Sequence, residues 1–200
     1  MTEKRRSDGV AVESQRPPSR NALMNRYAPK TLHIARKLLS LLGKIQITDD
    51  DDNVVYEAAA QWRWFIRPWR ITQNDREVAI VRRKFLSFAP TWYVDTNDEH
   101  FALRGKPWSW RRQVVVVGGR FDGAVLRGGL WDMGFELTRQ GQVIARAQAK
   151  IMTLRTRHSI ELLDASPQAE LLTVILMTTL VEQKSEESKL GTAADPSPHG

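Results

Sequence analysis

Ser166-Pro167-Gln168-Ala169-Glu170-Leu171-Leu172-Thr173-Val174-Ile175-Leu176-Met177-Thr178-Thr179-Leu180-Val181 is the stretch on which the fold turns. Ser166 is a good N-cap, Pro167 suits the first helical position and Glu170 falls in the first turn. The apolar residues from Leu171 to Val181 lie on every side of such a helix. A helix that is apolar all round must be surrounded. The run is roughly a dozen residues, short of the ~20 that cross a bilayer. A core helix over about 167–183 is therefore expected, wrapped by whatever precedes it.

What precedes it repeats. Lys37-Leu38-Leu39-Ser40, Gln61-Trp62-Arg63-Trp64 and Lys84-Phe85-Leu86-Ser87 are each followed by an alternating run. These runs are Ile45-Gln46-Ile47-Thr48, Trp69-Arg70-Ile71-Thr72 and Trp92-Tyr93-Val94-Asp95. A polar turn and a second period-2 run complete each unit. A weaker copy is Phe135-Glu136-Leu137-Thr138, turn Arg139-Gln140-Gly141, then Val143 to Ala149. The pattern predicts about twelve strands: 32–39, 44–49, 53–62, 68–73, 77–84, 91–96, 99–104, 111–117, 121–126, 134–139, 142–150 and 156–163. Short connections make neighbours antiparallel. Tyr56, Ala58 and Ala60 share one strand face and Ala145, Ala147 and Ala149 another, and the small residues among them leave room inside. The expected fold is mainly β: a closed antiparallel barrel of about twelve strands around a central C-terminal helix, without exposed sheet edges.

The quoted motifs resemble those of the LURP-one-related proteins. The resemblance rests on Leu38-Leu39-Ser40 with Ile45-x-Ile47-Thr48-Asp49, and on its echo Phe85-Leu86-Ser87 with Trp92-Tyr93-Val94. Gly134-Phe135-Glu136-Leu137-Thr138 with Gly141-x-Val143-Ile144-Ala145, and the apolar helix, are also similar. It covers roughly residues 27–183. This family belongs to the tubby C-terminal-like superfamily, which includes the phospholipid scramblases. The resemblance implies a twelve-stranded barrel around a helix. It also implies a lipid connection by analogy, since tubby-like relatives bind phosphoinositides and scramblases act at membranes. The sequence carries neither a tubby phosphoinositide motif nor a scramblase calcium motif.

Composition is compatible with this reading. Of 200 residues, 42 % are apolar and 26 % charged, which places the chain among globular proteins. There is no cysteine, which excludes a disulfide framework, a thiolate metal site and a thiol nucleophile. Residues 1–26 and 184–200 are poor in large apolar residues and read as disordered tails on a barrel domain at 27–183. Lys4, Arg5 and Arg6 are not followed by an apolar stretch, so a cytoplasmic protein is expected rather than a secreted one. The net charge is +7. Most of it belongs to the barrel, and it favours anionic partners.

In an up-and-down barrel, alternate turns fall at opposite ends. One end collects polar turns. The other collects all seven Trp or their near neighbours. Candidates for contact with a membrane or anion are Trp64, Phe65, Arg67, Trp69, Phe88, Trp108, Trp110, Arg111, Arg112, Trp131 and Arg155. Trp suits a membrane–water interface and Arg pairs with phosphate. The competing reading is that Trp plugs the barrel mouth and Arg stacks upon it.

Chemistry is sparse. Asp49-Asp50-Asp51-Asp52-Asn53 starts like a calcium loop, but Val54 and Ala60 stand where an EF-hand has Gly and Glu. His33, His100, His158 and His199 have no metal-ligand spacing. Gly118-Gly119-Arg120 and Gly128-Gly129 are not phosphate loops. The carboxylates Glu57, Asp95, Asp132 and Glu136 belong to no acid–base motif, and Ser40 and Ser87 to no nucleophile elbow. No catalytic residue, metal or cofactor is expected. The expected activity is that of a non-enzymatic module bound peripherally to an anionic phospholipid surface. The alternatives are a protein-interaction scaffold and, behind it, a single-stranded nucleic-acid binder.

Overall fold

Ile47-Thr48, Ile71-Thr72 and Leu137-Thr138 occupy the same place in three hairpins, and the computed structural model gives the repetition a physical meaning. It describes residues 29–35, 43–61, 67–106, 112–129, 134–148 and 157–193. Twelve strands follow one another: β1 Lys30–Ala35, β2 Lys44–Thr48, β3 Val54–Ala60, β4 Trp69–Gln73, β5 Arg76–Arg83 and β6 Thr91–Thr96, then β7 His100–Gly105, β8 Gln113–Val117, β9 Val125–Gly129, β10 Gly134–Arg139, β11 Gln142–Gln148 and β12 Arg157–Leu162. Helix α1 runs from Pro167 to Ala193. Each strand pairs antiparallel with its sequence neighbours, and β1 closes on β12 from Lys30 opposite Leu162 to Ala35 opposite Arg157.

In three hairpins the register slips by one residue just before the turn. Ile47 faces Tyr56 but Thr48 faces Val54; Ile71 faces Ala79 but Thr72 faces Glu77; Leu137 faces Ala145 but Thr138 faces Val143. Val55, Val78 and Ile144 are the extra residues, and all three pack on or in the core. Such bulges add bend and twist, which helps a sheet coil round a central helix. Two of these hairpins turn on two-residue loops with positive φ at both positions, Asn74-Asp75 and Gln140-Gly141. That is the turn whose twist matches its strands.

Inward side chains from all twelve strands form one buried core with α1. Leu32, Ile45, Ile71, Val94, Leu103, Leu126, Leu137 and Ile160 are buried with Leu172, Val174, Ile175, Leu176 and Leu180. Tyr56, Ala58, Ala145 and Ala147 are buried as expected, Ala60 is half-buried, and Ala149 lies outside the described residues. Three threonines share this apolar interior. Each returns its hydroxyl to a helix carbonyl: Thr173 to Ala169 at 2.8 Å, Thr178 to Val174 at 2.9 Å and Thr179 to Leu176 at 2.7 Å. No buried donor is thereby left idle in them.

The helix is tied at both ends. At its start the Ala169 N–H donates to Ser166 Oγ at 3.3 Å, confirming the cap. Glu170, only 5 % exposed, accepts Lys30 Nζ at 2.7 and 2.9 Å. At the other end of the barrel Trp92 Nε1 donates to Glu182 Oε2 at 2.6 Å.

Two boundaries depart from the sequence expectation. The ninth strand is Val125–Gly129 rather than 121–126, because Gly118, Gly119 and Gly123 take positive φ and Phe121 folds inward from the long turn they make. Gly128 has φ +95, and a Cβ there would stand 2.3 Å from the Gly134 carbonyl, so only glycine lets β9 and β10 approach. The helix also continues ten residues beyond the expected end near 183. The segment read as an N-terminal tail, 1–26, lies outside the described residues, as does 194–200.

Burial and the neighbouring Glu170 carboxylate push the Tyr56 hydroxyl well above its ordinary value of 10. With the folded pKa raised, this group's contribution is intact below pH 10 and is lost as the unfolded chain ionises above it. Unfolding free energy should fall by about 1.4 kcal/mol per pH unit above pH 10 through this residue. Urea unfolding at pH 9 and pH 11 should show that component of the fall in the wild type and not in Tyr56→Phe.

Candidate functional site at the barrel rim

Antiparallel order places the 49–53, 74–75, 97–99, 118–124, 140–141 and 163–166 connections at one end. The 84–90 connection and the strand ends at Ala35, Lys44, Ala60, Trp69, Gly105, Gln113, Gly129, Gly134, Gln148 and Arg157 lie at the other. Among the described residues, the alternation of ends is the one expected from the sequence. Trp64, Phe65, Trp108, Trp110, Arg111, Trp131 and Arg155 lie outside the described residues. The remaining candidates are Arg67, Trp69, Phe88 and Arg112.

They do not play one part. Trp69 opens β4 with its ring on the inner wall, 7 % exposed, opposite Val81. It therefore drops out as a contact candidate. Parity decides this: the face that carries Ile71 into the core carries Trp69 with it. Trp92 is likewise buried at this end. Both rings fill the mouth, as the plugging reading requires. Arg67 is exposed and Arg112 half-buried, and each is engaged by other groups. Phe88 is fully exposed, at 102 %.

Phe88 has company that the list of candidates omitted. Phe85 is 77 % and Leu86 87 % exposed, in the same β5–β6 loop. The loop is fixed at its base. Lys84 N–H donates to the Thr91 carbonyl at 2.8 Å, Gly105 N–H to the Pro90 carbonyl at 2.7 Å, and Thr91 Oγ1 to the Ala89 carbonyl at 3.0 Å. A side chain on Gly105 would press on Pro90 at 3.3 Å, so β7 backs directly onto the loop. Leu86 has φ +57, a conformation that costs an L-residue about 1 kcal/mol. Lys84, Arg104 and Lys106 are exposed nearby on the same end. The result is a braced loop with three large, mostly exposed apolar side chains at the end that also carries these cations. The Phe85-Leu86-Ser87 echo of the repeat marked this segment, but repetition alone does not reveal exposure.

The chain matches the family model of the LURP-one-related proteins over residues 30–182. It belongs to the LURP-one-related family. The match spans every strand and the buried part of α1, and the closed barrel agrees with the superfamily link to tubby-like proteins and scramblases. No curated protein and no solved structure matches the chain.

Elsewhere on this LURP-one-related barrel, polar clusters are occupied by structural bonds. Asp49 Oδ1 accepts the N–H groups of Asp51 at 3.0 Å and Asn53 at 2.9 Å, which makes the acidic run a self-bonded turn. Glu57 accepts Lys44 at 2.8 Å and Gln46 at 2.7 Å, and these bonds hold its carboxyl below its usual value. Asp95 pairs with Arg82 and with His100. Asp132 lies outside the described residues. No group of His, Asp or Glu suited to a metal occurs among the described residues.

One constellation escaped the sequence reading: Ser159 Oγ lies 3.0 Å from His33 Nδ1, and His33 Nε2 lies 2.9 Å from Asp50 Oδ1. The carboxylate accepts from Nε2, so a neutral His33 accepts the serine proton at Nδ1. Ser159 sits mid-strand, directly opposite His33 and between β1 and β11. The trio braces the seam between β1, β12 and the 49–53 turn.

The exposed tip should be dispensable for folding. Leu86→Gly relieves the positive φ and removes no buried contact. Its unfolding free energy should equal the wild type's or exceed it by up to about 1 kcal/mol. A loss larger than that in a thermal or urea unfolding series would show that Leu86 packs against the protein in solution.

Proposed function

We propose that the protein docks peripherally on anionic phospholipid surfaces by the rim end of its barrel, with Phe85, Leu86 and Phe88 entering the interface. The observation that carries this reading is the apolar tip on a braced loop, beside Lys84, Arg104 and Lys106. Burying a large apolar side chain is worth roughly 1.5–3 kcal/mol, and each nearby cation adds about 1 kcal/mol at an anionic surface. Three of each supply enough for reversible attachment after the cost of immobilisation.

The rest of the surface suits a peripheral role. The outer wall carries cross-strand ion pairs, Arg70 with Glu77 at 2.6 Å and Arg146 with Glu161 at 2.7 Å. An outer wall of this kind is the reverse of the apolar band that a membrane-spanning barrel presents to lipid. No helix of the described residues is long and apolar enough to cross a membrane. Arg70, Arg82, Arg146 and Lys44 are matched to carboxylates, which weakens the case for nucleic acid. The binding reading requires no catalytic group or cofactor, and it places the protein on the cytoplasmic side of a membrane. A protein partner seated on the same tip is the alternative.

Co-sedimentation of the full chain with phosphatidylcholine vesicles, with and without phosphatidylserine, tests this. Binding is expected with phosphatidylserine only and should weaken with salt. Phe88→Ser and Phe85→Ser should each lower it by about tenfold or more. Lys84→Glu should reduce the salt-sensitive part. Equal binding by wild type and Phe85→Ser/Phe88→Ser would overturn the role of the loop. No binding at low salt would turn the search to a protein partner.

A further inference from the structure

The central helix leaves the barrel at the end that carries the exposed loop. Glu170 is held by Lys30, whose strand begins at the polar-turn end, and Glu182 is held by Trp92, whose strand begins at the rim. The helix therefore crosses the barrel between these two residues, and its backbone continues to Ala193. Eleven residues beyond Glu182 make a helical extension about 16 Å long. The 84–90 loop, climbing and descending within seven residues, rises no more than about 10 Å.

Among the described residues of this end, a straight continuation of the helix would therefore overtop the apolar tip, near the centre of the barrel. A twelve-stranded barrel with ordinary strand spacing and tilt has a radius of about 12 Å. A flat surface resting on the end of the helix would touch the loop only after the barrel tilted by about 25°. The extension cannot simply sink into the membrane. Its sequence, Gln183-Lys184-Ser185-Glu186-Glu187-Ser188-Lys189-Leu190-Gly191-Thr192-Ala193, holds four charged residues and no apolar run. Gly191, near its end, also gives this part of the helix a weak hold on its conformation.

Resting on the membrane reading above, we infer that residues 183–193 are a built-in standoff that weakens engagement of the Phe85/Leu86/Phe88 tip with a flat anionic bilayer. Melting or bending that segment strengthens binding. The device is regulatory, since a partner that draws the extension aside would release the tip and one that stiffens it would restrain it.

Two variants of the full chain test the standoff. One ends after Gln183. The other carries Ser188→Pro, which breaks the helix outside the barrel while leaving the Trp92–Glu182 bond and the core helix in place. Titration with phosphatidylcholine/phosphatidylserine vesicles should show both binding at least about tenfold more tightly than wild type, a change smaller than one fully inserted Phe would give. Adding Phe88→Ser to either should remove the gain. If wild type binds and both variants bind equally or more weakly, the standoff is overturned while the membrane reading stands. If neither the wild type nor the variants bind, both fall. Binding by the variants alone supports the standoff and confines the membrane reading to the chain with the extension released.

Discussion

Everything in this molecule follows from one constraint: the helix from Leu171 to Val181 has no polar side to give to water. Only a wall on all sides satisfies it, and a sheet supplies such a wall without edges when its first strand meets its last. The barrel interior is then committed. Alanines and glycine-permitted close approaches make room, bulges curve the strands, and three threonines bond back to their own helix. The two carboxylates at the limits of the buried segment, Glu170 and Glu182, are each met by a donor from the wall, Lys30 and Trp92. They set the depth of the helix in the barrel as well as its place in the core.

The same commitment sorts the aromatic residues of the rim. A mouth must be filled, and Trp69 and Trp92 fill it because strand parity points them inward. Phe85, Leu86 and Phe88 belong to a connection with no such parity, and they contribute little to the core while one of them bears an unfavourable backbone angle. A loop that costs stability and is nonetheless tied down by two backbone hydrogen bonds and a third from the Thr91 hydroxyl is what supports the proposed contact outside the domain. That contrast separates the plug from the proposed contact surface among the described aromatic residues of this end.

Strand number, hairpin order, barrel closure and the capped helix were all legible in the sequence, because each rests on local periodicity or a local cap. The ninth strand was misplaced because Phe121 and Ala124 look like strand residues, whereas the φ demands of Gly118, Gly119 and Gly123 override their propensity. The helix was cut short near 183 because apolar content ends there, although a polar helix can continue once a buried one has nucleated it. Phe85 and Leu86 do not stand out in the sequence as the tryptophans do, since the exposure of a side chain in a loop is set by what packs over it and carries no periodic signal. The Ser159–His33–Asp50 trio is hidden for another reason: it is assembled from two strands and a turn, with Ser159 more than a hundred residues from the other two.

The closure of β1 on β12 has a consequence for how the chain comes into being. The strand that seals the barrel and the helix that fills it are both synthesised after eleven other strands, so no earlier fragment has a partner for the second edge of β1 or a filling for its interior. Contacts of such long sequence separation make for slow folding, with apolar strand faces open in the meantime. The nascent barrel therefore depends on protection until Val181 has cleared the ribosome. Chains halted before the helix should be cleared by proteolysis rather than accumulate as open sheets.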